Sequence, residues 1–275
     1  MSRIACLGLG EVAEKPRLKR NRNRLNSIPF PDPFRSPKDN RVSVPGLGKV
    51  RFHKMQLPEG KIKCGRIVKR ASGWHLCLFI DAQPKAIPHL GDGQIGIDPG
   101  FKSLLTLSTG EVIDHPRELE VAAKRLAQAQ RGNHKVLGSR IQERIANQRK
   151  DRNHKLSRRL VRENAVIRFS ADRHNGIAKK FGKSVSSSGH GQLRQMLSYK
   201  CRAGGRAYDE PDSKFSTMTC SDCGARTGPT GWAGLQVRQW RCSACGAQHD
   251  RDVNAARNTL FAGAGYAHEE NYVNT

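Results

Sequence analysis

Two Cys-x-x-Cys pairs constrain the fold of this chain more than any other feature. They are separated by residues 224–241, and a glycine follows each pair directly. Paired thiolates at this spacing predict a tetrahedral zinc site, and four sulfur ligands leave no open position, so the predicted zinc is structural. The alternatives are two disulfides or four unrelated cysteines, and the repeated spacing and glycines disfavour both. The four cysteines are Cys220, Cys223, Cys242 and Cys245.

An acidic cluster follows the second pair. Asp250 and Asp252 precede Val-Asn-Ala-Ala-Arg-Asn-Thr-Leu, which reads as the start of a helix. A carboxylate at this position commonly caps the helix. A zinc ribbon directly upstream would hold the helix start rigidly, as a metal-binding carboxylate requires. We therefore favour a metal ligand in this cluster.

The charge of the chain indicates a polyanionic partner. Its 275 residues include 49 Lys and Arg against 24 Asp and Glu, a formal net charge of +25. An excess of this size favours nucleic acid over acidic lipid. No run approaches 18 apolar residues, and the apolar start of the chain is too short for a signal peptide.

The first part of the chain divides into a basic arm and a set of strands. Residues 1–41 are basic and rich in Pro and Asn, which predicts either an extended arm that orders on nucleic acid or a disordered tail. Residues 42–92 alternate apolar and polar residues between glycines, which predicts short antiparallel strands in a small barrel or curled sheet. Lys61 and Lys63 belong to its basic face, where we expect phosphate contacts.

Asp98 stands inside an apolar strand, where a carboxylate is costly unless a metal, a cation or a hydrogen bond compensates it. The segment Gly96-Ile-Asp98-Pro-Gly resembles the first strand of RNase H-like nucleases, in which this Asp binds Mg²⁺. We expect a turn at Pro99-Gly100, a second strand, and a hairpin at Thr109-Gly110.

Residues 116–164 predict a long charged helical region that is broken at Gly132-Asn133 and again at Gly138. A basic face near its end has one acid among many cations. A solvated helix surface is the alternative, but such surfaces normally mix charge signs. We therefore expect nucleic-acid contacts from Arg149, Lys150, Arg152, Lys155, Arg158 and Arg159.

These motifs together resemble the TnpB (OrfB) proteins of bacterial insertion sequences. The resemblance also includes Gln148-Arg-Lys-Asp-Arg-Asn-His-Lys-Leu-Ser157 and Gly191-Gln-Leu-Arg-Gln-Met-Leu-Ser-Tyr-Lys200. It implies an α/β fold: an RNase H-like (RuvC) nuclease core with an inserted zinc ribbon, preceded by a small antiparallel β-barrel, the wedge domain. The implied parts are an arm (1–41), a wedge (42–92), a core (93–217, with the helical insertion 116–164), a ribbon (218–248), a last core segment (249–262) and a tail (263–275).

The chain departs from the family at the second catalytic carboxylate. Most members carry a Glu on the strand that is written here Ala165-Val-Ile-Arg-Phe169, where none occurs. A minority have a Glu shortly before the ribbon instead, which makes Glu210 the candidate, although Asp209-Glu210-Pro211 also fits a simple polar turn. The resemblance thus implies that Asp98, Glu210 and Asp252 hold two Mg²⁺ ions.

The implied activity is RNA-guided, Mg²⁺-dependent cleavage of DNA matched to a transposon-derived guide RNA. Guide RNA and target DNA are the expected partners, without a membrane, in the bacterial cytoplasm and at the nucleoid when bound. The missing strand Glu favours an alternative, a nuclease-dead RNA-guided DNA-binding repressor. A second alternative is a non-functional transposon relic, because no helical recognition module precedes Asp98.

Overall fold

The computed structural model divides into two compact units, residues 1–83 and 84–275, and each is described by itself. The predicted wedge boundary, at residue 92, lies a few residues inside the second unit. The chain beyond residue 262 and most of the predicted arm lie outside the described residues. The structure describes residues 26–30, 40–44, 47–53, 59–81, 87–100, 102–115, 117–171, 188–234 and 236–262.

The described part of the first unit is built from antiparallel strands, as the alternating pattern predicts. Strands β1 (Ser27–Phe30), β4 (Lys61–Arg70) and β5 (Gly73–Asp81) form a sheet in the order β1-β4-β5. A separate pair joins β2 (Arg41–Val44) to β3 (Gly48–Arg51). A closed barrel is not apparent among these strands and stays a prediction.

Strand β1 lies within the predicted extended arm, residues 1–41. It pairs along its whole length with β4 and has no second neighbour in the sheet order. An edge position tolerates Pro29, because proline lacks the N–H that an inner strand would need.

The second unit contains a five-stranded sheet in the order β10-β9-β6-β7-β8. Strands β6, β7 and β8 form an antiparallel meander, which confirms the expected turn and hairpin. Strands β9 and β10 run parallel to β6, so the carboxyl ends of these three strands meet at one edge. The strands are β6 (Gly93–Pro99), β7 (Ser103–Leu107), β8 (Val112–Asp114), β9 (Asn164–Phe169) and β10 (Ala207–Asp209).

The described residues of this unit also form five helices and a two-stranded sheet. The helices are α1 (Glu118–Arg131), α2 (Lys135–Glu163), α3 (His190–Ala203), the short α4 (Gly231–Gly234) and α5 (Arg251–Ala262). Strands β11 (Gln239–Arg241) and β12 (Gln248–Asp250) pair within the predicted ribbon. The predicted break at Gly138 is wrong, because α2 continues through it; the break at Gly132-Asn133 is confirmed.

Helices cover both faces of the five-stranded sheet. One face packs its apolar side chains, including Ile97, Ile167 and Phe169, against α2 and α3. The opposite face carries α5, which lies so close to β6 that a Cβ at Gly96 would meet the main-chain oxygen of Ala256. Since β6 is covered on both faces, Asp98 stands at the end of a central, enclosed strand.

Candidate metal and nucleic-acid sites

The four predicted zinc ligands form one cluster. Their Sγ atoms all lie within 4.8 Å of one another. The Sγ atoms of Cys220 and Cys245 are 3.7 Å apart, and those of Cys223 and Cys242 are 3.6 Å apart. Zn–S bonds of about 2.3 Å in a tetrahedron give S···S separations of about 3.8 Å. The donor set and its spacing therefore fit a zinc ion.

The two halves of this cluster are built alike. The Cys220 N–H donates to the Ala225 carbonyl, and the Gly224 N–H donates back to the Cys220 carbonyl, both at 2.9 Å. The second turn repeats both bonds at the same length between Cys242 and residues 246 and 247. Gly224 has φ of 78° and Gly246 has φ of 79°, in the left-handed region that favours glycine. The same left-handed backbone conformation therefore explains both glycines.

The surroundings shift the thiol pKa values of Cys220 and Cys242 in opposite directions. The Thr227 hydroxyl donates to Cys242 Sγ at 3.2 Å, and this bond lowers the pKa of the Cys242 thiol to about 6. Burial instead raises the pKa of Cys220 to about 12. His249, buried against Trp240, places Nε2 3.0 Å from Cys220 Sγ. Zinc would hold both residues as thiolates, and its binding would release the proton of the buried Cys220.

Asp98 lies on the sheet face that α5 covers. It is half-buried near the carboxyl end of β6, opposite Thr106 of β7. Side chains alternate along a strand, so Asp98 shares a face with Gly96. A Cβ at Gly96 would stand 2.8 Å from the Leu260 Cβ of α5, so this is the face that α5 covers. Asp98 therefore faces the same layer that carries Asp252.

Asp250 and Asp252 have different tasks at the start of α5. Asp250 Oδ1 accepts the N–H groups of Asp252 and Val253, both at 3.0 Å, which is the pattern of a helix cap. Asp252 is left outside the cap, and its Oδ2 accepts Arg238 Nη1 at 2.6 Å. The capping role considered for this cluster thus falls to Asp250, and Asp252 pairs with Arg238 instead.

Glu210 lies at the end of β10 on the opposite face. Its Oε1 accepts the Tyr208 hydroxyl at 2.6 Å, and its Oε2 is 3.8 Å from Arg194 Nη1 of α3. Tyr208 packs against the core that α3 covers, and Arg194 lies over the ring of Phe169. Burial and the bond to Glu210 raise the pKa of Tyr208, so its hydroxyl stays protonated and donates.

The three predicted catalytic carboxylates are therefore not equally placed. Asp98 and the helix of Asp252 share one side of the sheet, whereas Glu210 is held on the other. Among the described residues, the four cysteines alone form a group of three or more His, Cys, Asp or Glu side chains whose ligand atoms are close enough for one ion. The carboxylates do not form such a group in this arrangement.

Arg152, one of the predicted nucleic-acid contacts, is held by groups of the protein. Its Nη1 donates to Glu118 Oε1 at 2.9 Å, and its Nη2 donates to the Ser188 carbonyl at 2.9 Å. The Arg152 and Glu118 side chains are only 18% and 12% exposed. A guanidinium enclosed in this way joins α1, α2 and the segment before α3.

The other predicted cations remain at the surface. Lys61, Lys150 and Arg158 are exposed. Three more form ion pairs with acids at 2.7–2.9 Å, and such exposed pairs contribute little to stability. These pairs are Lys63–Asp81, Lys155–Asp151 and Arg159–Glu111. Arg149 is half-buried, with its stem against the position of Gly189.

The motifs of α2 and α3 meet in a polar seam. Asn153 Nδ2 donates to Gln192 Oε1 and to the Gly189 carbonyl, each at 3.1 Å. The buried Lys200 Nζ donates to Ser157 Oγ and to the His154 carbonyl, each at 2.7 Å. These motif residues therefore meet a packing requirement between two helices.

Sequence reasoning missed two functional candidates on α5, Asn254 and Asn258. Both side-chain amides donate to the carbonyls of Ser216 and Thr219, just before the first zinc turn. Their spacing of one helical turn, directly after Asp252, was the available signal.

Comparison with known proteins finds relatives that share this site. A model of the Cas12f1-like TNB domain family matches residues 190–259, from α3 through the cysteines into α5. A Streptomyces pristinaespiralis protein, provisionally named an RNA-guided DNA endonuclease, is 39% identical over 224 residues. InsQ of Escherichia coli K12, a TnpB protein with the same provisional name, is 25% identical over 279 residues. The resemblance to TnpB proteins is confirmed.

The TnpB-like chain aligns with only part of these relatives. The alignments cover 75% and 90% of the chain, but 54% of the Streptomyces protein and 68% of InsQ. The CRISPR-associated endodeoxyribonuclease Cas12f1 of Sulfoacidibacillus thermotolerans is 24% identical over 79% of the chain and 57% of its own length. The chain thus spans about half to two thirds of the curated relatives it matches.

Two solved structures are similar to the TnpB-like chain, each at 17% identity. A Cas12f1–sgRNA–target DNA complex gives a TM-score of 0.48, covering 85% of this chain and 66% of that one. A CRISPR-Cas12f ternary complex gives 0.47, covering 74% and 46%. Separately, no helix among the described residues is long and apolar enough to cross a membrane.

Proposed function

We propose that this chain is an RNA-guided, metal-dependent DNA endonuclease of the RuvC type. One observation carries the proposal: Asp98 lies near the carboxyl end of the central strand β6, on the sheet face covered by the helix whose first turn holds Asp252. The strand order β8-β7-β6-β9-β10, with an antiparallel meander followed by two parallel strands, fits the RNase H-like topology expected from the sequence. The names of the relatives support the same activity.

The donor chemistry suits magnesium. Mg²⁺ prefers hard carboxylate oxygens and keeps several waters, and Asp98 and Asp252 are carboxylates on one side of the sheet. Bound at this edge, the ions would activate water and stabilise the leaving oxygen of the broken phosphodiester. Asp252 would exchange its bond to Arg238 for this role, while Asp250 keeps the helix capped.

Glu210 is our proposed third carboxylate, and its role requires movement. The Tyr208 hydroxyl and Arg194 hold it on the α3 face, away from Asp98. It stands just outside the strand, at an exposed chain position, so rotation of its backbone would bring it around the sheet edge. A bound Mg²⁺ ion would supply the attraction that offsets the lost hydrogen bond.

The remaining parts of the proposal concern partners. The exposed cations of α2 and β4 would contact phosphates of a guide RNA or of its duplex with target DNA, and base pairing would provide the sequence specificity. The cysteine cluster would hold one structural zinc. The wedge boundaries, the magnesium count of two, and a cytoplasmic location with binding at the nucleoid belong to the same proposal.

The test begins with RNA that copurifies with the protein. Sequencing that RNA identifies the guide, and a plasmid with the matching target is then incubated with the complex and Mg²⁺. We expect cleavage that chelation or Asp98→Ala abolishes, with RNA binding unchanged. Target binding without cleavage by the wild type would replace this proposal with the nuclease-dead DNA-binding protein.

A further inference from the structure

Two side-chain amides fasten α5 to the segment that leads into the first zinc turn. Asn254 Nδ2 donates to the Ser216 carbonyl at 3.1 Å and to the Thr219 carbonyl at 2.8 Å. Asn258 Nδ2, one turn later, donates to the same two carbonyls, both at 2.7 Å. The Asn254 Oδ1 also accepts the Ser221 N–H at 2.9 Å.

This arrangement fixes the helix in two directions. Each carbonyl oxygen has two lone pairs, and each here receives two amide donors, one from each turn of α5. Rotation of the helix would break the bonds of both turns, and sliding would break them unequally. Asn254 is only 1% exposed, so water cannot readily replace its hydrogen bonds. Losing them would therefore cost free energy.

A second connection holds the start of α5 from the other half of the ribbon. The Arg251 N–H donates to the Arg238 carbonyl at 2.7 Å, while the Arg238 side chain donates to Asp252. The start of α5, which carries Asp252, is therefore held at two places. One is Arg238, the residue directly before β11, and the other is the segment before Cys220, which the asparagine amides bind.

We infer that Asn254 and Asn258 are positioning residues that transmit the rigid zinc turn to the Asp252 carboxylate. This inference rests on the proposed function of Asp252 as a metal ligand. The zinc ribbon then serves the nuclease site as the fixed support of one of its ligands, and the two asparagines are the mechanical link. A displacement of about 1 Å at a catalytic group can lower a rate on the order of 100-fold.

The experiment measures Mn²⁺ binding by electron paramagnetic resonance, with Mn²⁺ as the probe for the magnesium site, alongside cleavage and zinc content. The test variants are Asn258→Ala and Asn258→Asp, the second of which keeps the shape and removes the donor. Thr259→Ala is the neighbouring control, because Thr259 is more buried than Asn258 and its hydroxyl donates at 2.9 Å within α5, to the Ala255 carbonyl.

We expect both Asn258 variants to weaken the Mn²⁺ binding that depends on Asp98 roughly 10-fold and to lower kcat on the order of 10–100-fold. RNA affinity and one zinc per chain should be unchanged, and Thr259→Ala should bind Mn²⁺ as the wild type does. Should the Asn258 variants also match the wild type in Mn²⁺ affinity, the inference is wrong while the proposed function stands. If wild-type protein shows no Mn²⁺ binding that Asp98→Ala removes, both are overturned.

Discussion

The cysteine cluster and the carboxylate set are both predicted to bind metal, yet they differ in how far the chain assembles them. The four Sγ atoms already lie at the separations of a zinc tetrahedron. The carboxylates are instead occupied by groups of the protein itself: Asp252 by Arg238, and Glu210 by Tyr208 and Arg194.

The difference follows from where the ligands come from. Each cysteine pair sits on one short turn with its own backbone hydrogen bonds, so the geometry is local. The carboxylates come from a strand, a strand end and a helix start, and their like charges repel when no cation is present. A closed structural site can form from turns alone, whereas an open catalytic site depends on partners that exchange.

The largest effect is expected from removing ligands of the cysteine cluster. The double substitution Cys220→Ser and Cys223→Ser should reduce zinc from one ion per chain to none, because two ligands cannot hold the site. Cleavage should fall below detection, since the support of α5 is lost. Metal analysis by mass spectrometry checks the first result. The double substitution Cys64→Ser and Cys77→Ser, outside the cluster, should keep the zinc.

The next prediction concerns the carboxylates, and Glu210 in particular. Glu210→Gln keeps size and hydrogen bonding but removes the charge, and it should abolish DNA cleavage as completely as Asp98→Ala. Tyr208→Phe removes the hydroxyl that holds Glu210 on the α3 face and should leave cleavage within about 3-fold of the wild type. Plasmid cleavage with the copurified guide measures both. Equal cleavage by Glu210→Gln and wild type would exclude a catalytic Glu210.

A third prediction concerns the packing that brings α5 over Asp98. Gly96→Ala should lower the free energy of unfolding by about 1–3 kcal/mol, because the added methyl group meets the main chain of α5. Thermal denaturation measures the loss. Gly191→Ala is the control, since the space beside Gly191 is open and the glycine lies in an α-helix.

The smallest effects should separate two arginines of α2. Arg152→Ala leaves Glu118 enclosed without its partner and should cost about 2 kcal/mol of stability. Arg158→Ala should leave the melting temperature unchanged and reduce the slope of RNA affinity against log salt by about 1. Filter binding at several salt concentrations tests this. If Arg152→Ala changes the slope and Arg158→Ala does not, the roles are reversed.

Sequence reasoning reached the features that are local in the chain. The cysteine cluster, the strand that carries Asp98 and the hairpin at Thr109-Gly110 each depend on neighbouring residues, and the structure contains all three. The capping role that was weighed for the acidic cluster also occurs, at Asp250. The break expected at Gly138 did not occur, because a single glycine costs a helix only about 1 kcal/mol and packing of α1 on α2 offsets it.

What the sequence did not reveal depends on contacts between distant residues. Nothing near Arg152 in the chain shows that Glu118 and the Ser188 carbonyl enclose it, so it was grouped with the surface cations. Asn254 and Asn258 were read only as part of a helix start. The face on which Glu210 lies depends on the register of β10 with β9, which no pattern within three residues of β10 specifies.

The contact at Gly96 also has a genetic consequence. An atom added there meets the main-chain oxygen of Ala256, and every amino acid at position 256 has that oxygen. No side-chain exchange in α5 can therefore remove the obstacle. A suppressor selection that starts from a larger residue at position 96 should return mostly true revertants, whereas one that starts from a shortened core residue such as Ile97→Ala should find compensating changes in α2 and α3.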